Sequence, residues 1–275
     1  EILDSEGALI RAFDGTLKEP EDKDKKKDEI YDPTKKDPPP TANIKAGLNR
    51  FTWDMRYPGF SDFPGMILWS SRNSGIRAVP GEYQARLTVD GEVLTTPFEI
   101  RLDPRVELAD AGDLEARFAL ANEISAKVSE ANEAVLLVRG IKQQFAALEG
   151  KADQADLDAM ASIDEAISTI EGRIYQVNNQ SRQDPLNFPI QLNDKLASLI
   201  GTVESAEAAP TDQARAIFDR LSGQLDSELA ALERALDAQL PGLNEGLKAA
   251  GLAPIERRPL KVEEPRKESE AKQDQ

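Results

Sequence analysis

The chain has 275 residues and a formal charge of −16, without a single cysteine or histidine. That composition excludes disulfides, thiolate nucleophiles, Cys/His zinc sites and a Ser-His-Asp triad. The length suits two domains, and the acidic surface disfavours nucleic acid and anionic membrane as partners.

Ile2 and Leu3 open a strand, Asp4 to Gly7 is a turn cluster, and Ala8 to Phe13 returns, which predicts a hairpin. Gly7 suits a positive φ at that turn. Because the first residues already look like strand, the start is read as a cut in a longer polypeptide. Residues 16–41 hold mixed charge and prolines with almost no apolar side chains, so burial cannot offset chain entropy there. This insert reads as a solvated loop, with a docking tail as the sharper alternative. From Ile44 to Met55 strand resumes, with Phe51, Trp53 and Met55 on one face. Tyr57 to Arg77 is irregular and rich in aromatic residues.

The clearest hairpin starts at Pro80-Gly81. Tyr83, Ala85, Leu87 and Val89 alternate with polar residues, Asp90-Gly91 signals a type I′ turn, and Phe98, Ile100 and Leu102 share a face on the return. Pro97 there suggests an edge or a switch of sheets. Residues 1–104 therefore predict an immunoglobulin-like antiparallel β-sandwich.

After Pro104 the apolar period changes from two to three or four. Leu114, Ile124, Val135 and Phe145 belong to one face of a helix running from Asp113 to Gly150, roughly 50 Å long. Gly140 inside it weakens the helix and marks a close contact. A second helix spans Asp156 to Asn178. A shorter one carries Leu192 to Val203. A fourth starts after Pro210 with Thr211 as N-cap, and Pro241 permits a new helical start. Short links favour antiparallel neighbours. The fold class is thus α+β, multidomain: the sandwich, then an antiparallel bundle of about four helices over 105–255, then a disordered charged tail over 256–275.

No spacing assembles a catalytic set. Trp53 reads as sandwich core, and Tyr83 as a core tyrosine with a satisfied hydroxyl. Asp54 and Asp103 read as turn residues, since a glycosidase needs two carboxylates held across a cleft. Asp90, Asp110, Asp113 and Asp153 read as turn and cap residues. Arg105 and Arg139 are expected to pair with acids between helices. Tyr57, Phe60 and Trp69 remain as candidate ligand contacts, because aromatic faces stack on sugar rings. No cofactor and no metal is expected.

Three stretches carry a resemblance: Gly47 to Tyr57 (GLNRFTWDMRY), Pro80 to Gly91 (PGEYQARLTVDG) continuing to Asp103-Pro104-Arg105, and Phe188 to Ala197 (FPIQLNDKLA). Together the chain resembles the C-terminal region of bacterial secreted proteins with sortilin-like, BNR-repeat β-propellers, often labelled glycosyl hydrolases. The opening hairpin and the first stretch also resemble the immunoglobulin-like domain of flagellar hook-capping proteins. The resemblance implies a secreted, periplasmic or cell-envelope parent with a propeller upstream. It carries over no catalytic residue. The expected function is a non-catalytic packing, spacer or partner-docking region of that parent. The alternatives are a carbohydrate-binding module or the C-terminal part of a glycosidase-like or sialidase-like hydrolase. The expected partners are the propeller, another protein or a glycan, without nucleic acid and without membrane insertion.

Overall fold

The computed structural model describes residues 1–17, 41–45, 47–69, 71–105 and 110–260. The fold is α+β. Strands β1 (Ile2–Asp4), β2 (Leu9–Arg11), β5 (Gly81–Val89) and β6 (Glu92–Ile100) form one antiparallel sheet in the order β2-β1-β5-β6. Strands β3 (Asp14–Leu17) and β4 (Thr41–Ile44) form a separate parallel pair, from Asp14 opposite Thr41 to Leu17 opposite Ile44. Among the described residues the β half is therefore one antiparallel sheet and a short parallel ribbon. Among the described residues no second antiparallel sheet faces the first. The predicted insert has its two ends joined by the ribbon, and 18–40 lie outside the described residues.

Turn chemistry follows the sequence. Gly7 has φ 86°, and Asp90 and Gly91 have φ 51° and 87°, the left-handed pair a type I′ hairpin requires. Among the described residues the expected strand does not continue beyond β4 toward Met55. Asn49 instead accepts from the Lys45 N–H and donates to the Lys45 and Gly47 carbonyls, and Met55 has φ 57°. These local side-chain bonds occupy backbone groups that a ladder would use. The face predicted for it dissolves accordingly: Phe51 and Met55 are exposed, while Trp53 packs on Tyr83 and Phe98.

Four helices follow. α1 (Ala111–Ala146) starts two residues earlier than predicted, because Asp110 is the N-cap and Asp113 closes a capping box with it. α2 (Gln154–Ile174) is capped by Asp153, and α4 (Asp212–Ala249) by Thr211. α3 spans Leu192–Val203. Pro241 does not begin a helix: α4 passes through it as one element of 38 residues.

Cross-helix pairs define how the helices run. Asp156 approaches Gly246, Ser162 bonds Gln239, and Arg173 pairs with Glu228, so α2 and α4 are antiparallel. Glu123 pairs with Arg215 and Lys127 with Asp226, so α1 and α4 are parallel. α3 also descends along α1: Asn193 donates to Asn132, while Arg117 meets Glu207 just past the end of α3. Thus α2 and α3 run the same way at successive levels of α1. They form one descending column between two ascending helices, not a strict up-and-down alternation.

The main hydrophobic cluster lies among these helices, with Leu120, Ile124, Ile141, Ile167, Leu196, Leu225 and Leu236 almost fully buried. A smaller cluster beneath the sheet holds Ile2, Ile10, Ala78 and Tyr83, with Trp53 and Phe98 against it. Residues 256–260, predicted as part of a disordered tail, are packed. Leu260 N–H donates to Leu136 O, Arg257 pairs with Glu233 and Asp237, and Ile255 is buried, so residues 255–260 lie along α1 and α4. Gly140 is where this segment crosses α1: a Cβ there would overlap the Arg258 carbonyl oxygen. Residues 261–275 lie outside the described residues.

Candidate functional site

The segment 57–77, expected to present aromatic side chains, is a strap laid on the helices. Phe60, Phe63 and Ile76 enter the helical cluster, and Ile67 is also buried. The strap covers α1 at the level where α2 gives way to α3.

Its backbone has no strand or helix partner over most of this length, so side chains of the helices satisfy it. Ser61 N–H donates to Ser129 Oγ, and Asn132 Nδ2 donates to Ser61 O. The Tyr175 hydroxyl accepts from Ile67 N–H and donates to Gly65 O, both at 3.1 Å. Asp194 accepts from Trp69 N–H at 2.8 Å. At the strap's two ends Glu204 accepts from the Arg56 guanidinium and from Arg77 N–H, and Glu207 pairs with Arg77 and Arg117. Asn132, Asn193 and Asp194 are 0%, 1% and 3% exposed, which explains polar residues on otherwise apolar helix faces. They are the buried half of a network that has the strap as its other half.

Arg139 forms the same kind of brace. Its guanidinium bonds Glu171 at 2.9 Å and lies over the rings of Phe63 and Tyr175, while Lys142 takes the other Glu171 oxygen. The Arg139 pairing between helices follows the sequence expectation. Arg105 instead pairs with Asp103 two residues away.

The three candidate ligand contacts separate. Phe60 is buried against the helices. Tyr57 is half-buried with its ring against Phe118, centroids 5.0 Å apart. Trp69 is 44% exposed. They do not form one exposed aromatic surface. An open cleft of about 760 Å³ lies at the edge of the strap, lined by Gly59, Phe60, Ser61, Asp62, Glu133, Leu136, Leu137 and Pro259. Within it Ser61 Oγ donates to Glu133.

The residues read as structural behave so. The Tyr83 hydroxyl donates to Val79 O at 2.8 Å beneath the sheet, and burial pushes its pKa up to about 12. Asp54 and Asp103 each accept from a backbone N–H two residues on. Among the described residues no group of three or more acids could hold a metal ion, and no helix is long and apolar enough to cross a membrane.

The β half has a different character. Leu87, Val89, Val93 and Leu94, at the far end of the β5–β6 hairpin, are 53–66% exposed. The inward alternation predicted from Tyr83 to Val89 is real in register, but only Tyr83 is buried. The reason is the neighbouring strand: β1 pairs with β5 from Tyr83 to Ala85, and nothing described covers the hairpin beyond it.

Comparison with family models, with curated proteins and with solved structures returned no match.

Proposed function

We propose that this chain is a non-catalytic accessory region of a larger exported β-propeller protein, serving as a packing, spacer or partner-docking module. In this reading the four-stranded sheet belongs to an immunoglobulin-like sandwich, and the helices are an antiparallel bundle that extends away from it. The resemblance in the three sequence stretches supports the parent.

The observation that carries the reading is the clamped strap. Two buried acids in the helical half, Glu171 and Asp194, are held by structural donors, and the strap aromatics largely pack inward. Chemistry built on these two carboxylates or on an open aromatic platform at the strap therefore has little support. The same bonds tie the end of the sheet half to α1, α2 and α3. With α1 and α4 at roughly 55 Å each by helical rise, the unit suits a spacer. The carbohydrate alternative rests on Trp69, the most exposed of the three aromatics.

An antibody raised against this chain tests the parent. On fractionated cells it should mark a product well above 30.2 kDa, outside the cytoplasm; a cytoplasmic product of the chain's own size would sink the reading. Turnover of any glycoside or peptide substrate by the isolated chain would overturn its non-catalytic part. Loss of glycan retention on Trp69→Ala would favour the carbohydrate alternative.

A further inference from the structure

We infer that the turn-proximal half of β6 is a self-pairing sheet edge that joins two copies of this chain. The inference starts from hydrogen-bond direction. In a two-residue type I′ hairpin the residues flanking the turn, Val89 and Glu92, form a hydrogen-bonded pair, and the pattern alternates from there. Leu94, Thr96 and Phe98 then bond inward to β5. Val93, Thr95, Pro97 and Glu99 point their backbone groups away from the sheet. The other side of β5 agrees: Arg86 both donates to and accepts from Glu1 at 2.9 Å, so it faces β1 and its neighbours Ala85 and Leu87 face β6. β6 is the last strand of its sheet, so the outward groups have no strand beside them among the described residues.

Pro97 sets the register. It has no N–H, so a pairing that needs it as donor loses a bond. Centring two antiparallel β6 strands on Leu94 avoids it. Val93 of each copy then exchanges both backbone bonds with Thr95 of the other. Leu94 meets the second copy's Leu94 as a close, non-hydrogen-bonded pair. Leu87 lies beside Leu94 on the same face, so an unbroken row of four leucines crosses the junction.

The occupant is a second copy because the edge matches itself. Val93, Leu94 and Thr95 read as β-branched, apolar, β-branched in both directions about Leu94. In this register Glu92 falls opposite Thr96, and Glu99 extends past the end of the other copy's β6, which begins at Glu92, so no carboxylate pairs with another within the paired strands. The run Val93 to Phe98 has no charge in a chain of net charge −16. Beyond the edge the two copies repel, and the contact is smaller than the ~800 Å² per partner of a standard interface. The dimer should accordingly be weak and should strengthen with salt.

Sedimentation of the intact chain from micromolar to near-millimolar concentration, at low and high salt, tests this. A monomer–dimer equilibrium that shifts to dimer with salt is expected, and Leu94→Arg should return it to monomer with unchanged circular dichroism. Thr95→Pro is a second variant, since it deletes an outward N–H and leaves the hairpin's inward bonds in place. The lack of native cysteine allows a register probe. Under mild oxidation Leu94→Cys should crosslink about tenfold faster than Leu48→Cys, whose parent side chain is 90% exposed, because pairing raises the local thiol concentration. A wild-type chain that stays monomeric at every concentration and salt would overturn the inference. So would a dimer that both variants leave intact, or a Leu94→Cys rate no higher than that of Leu48→Cys.

Discussion

Two glycines in helices should respond oppositely to the same substitution. At Gly140 an added methyl meets the backbone of residues 258–260, which cannot move without leaving α1. Gly140→Ala should cost about 1–3 kcal/mol despite its better helix propensity. At Gly223, inside α4, nothing lies within 4 Å of the added carbon, so Gly223→Ala should gain about 0.5–1 kcal/mol. Urea midpoints of the two variants check both signs. Asp194 offers a polar case. Its loss leaves the Trp69 N–H without its acceptor at a partly buried site, so Asp194→Ala should cost about 1–2 kcal/mol. The strap should then become the first segment cut by protease; an unchanged cleavage pattern would contradict the clamp. The Gly140 contact was legible in the sequence as a helix-breaking residue with no local purpose. Asp194 was not, because an acid near a helix start also suits the helix dipole.

Among the elements, α4 shows where local rules give way. Pro241 removes one ladder bond and crowds the preceding turn, which predicts a break. The helix continues because Leu236, Leu240, Leu243 and Leu247 are buried on both sides of it, and apolar burial outweighs one lost bond. Pro241→Ala should therefore raise stability, by up to about 3 kcal/mol, measured by the urea midpoint. The caps at Asp110, Asp153 and Thr211 were readable because they act through their own first turn. The strap was not. Its residues 60–76 look like an aromatic loop, and their partners lie more than fifty positions away on three helices. The same distance hid the stacking of α2 on α3: the link 175–191 does not state which way the chain leaves it.

For the molecule as a whole, the buried phenols predict an alkaline limit. Burial raises Tyr83 to about 12, and burial likewise raises Tyr57 and Tyr175 from their ordinary value of 10.0. The folded chain thus holds protons that the unfolded chain releases near pH 10. Stability is intact below that pH and falls as pH rises toward about 12. The urea midpoint should drop across this window, while phenolate absorbance rises late for these groups. A midpoint that stays flat would show that the tyrosines are not held neutral by the fold.

The two antiparallel hairpins, the succession of the four helices, the change from β to α, the caps and the turn glycines follow from neighbours a few residues apart, and the sequence alone determined them. The apolar period also marked most helix residues that are buried. Which apolar residues stay in the open was decided only in three dimensions, because burial depends on whether another strand or helix arrives. Tyr83 and Leu87 share one alternating pattern, yet one lies under Trp53 and the other is exposed. Phe60 and Trp69 share one loop, yet one enters the helical core and the other faces solvent.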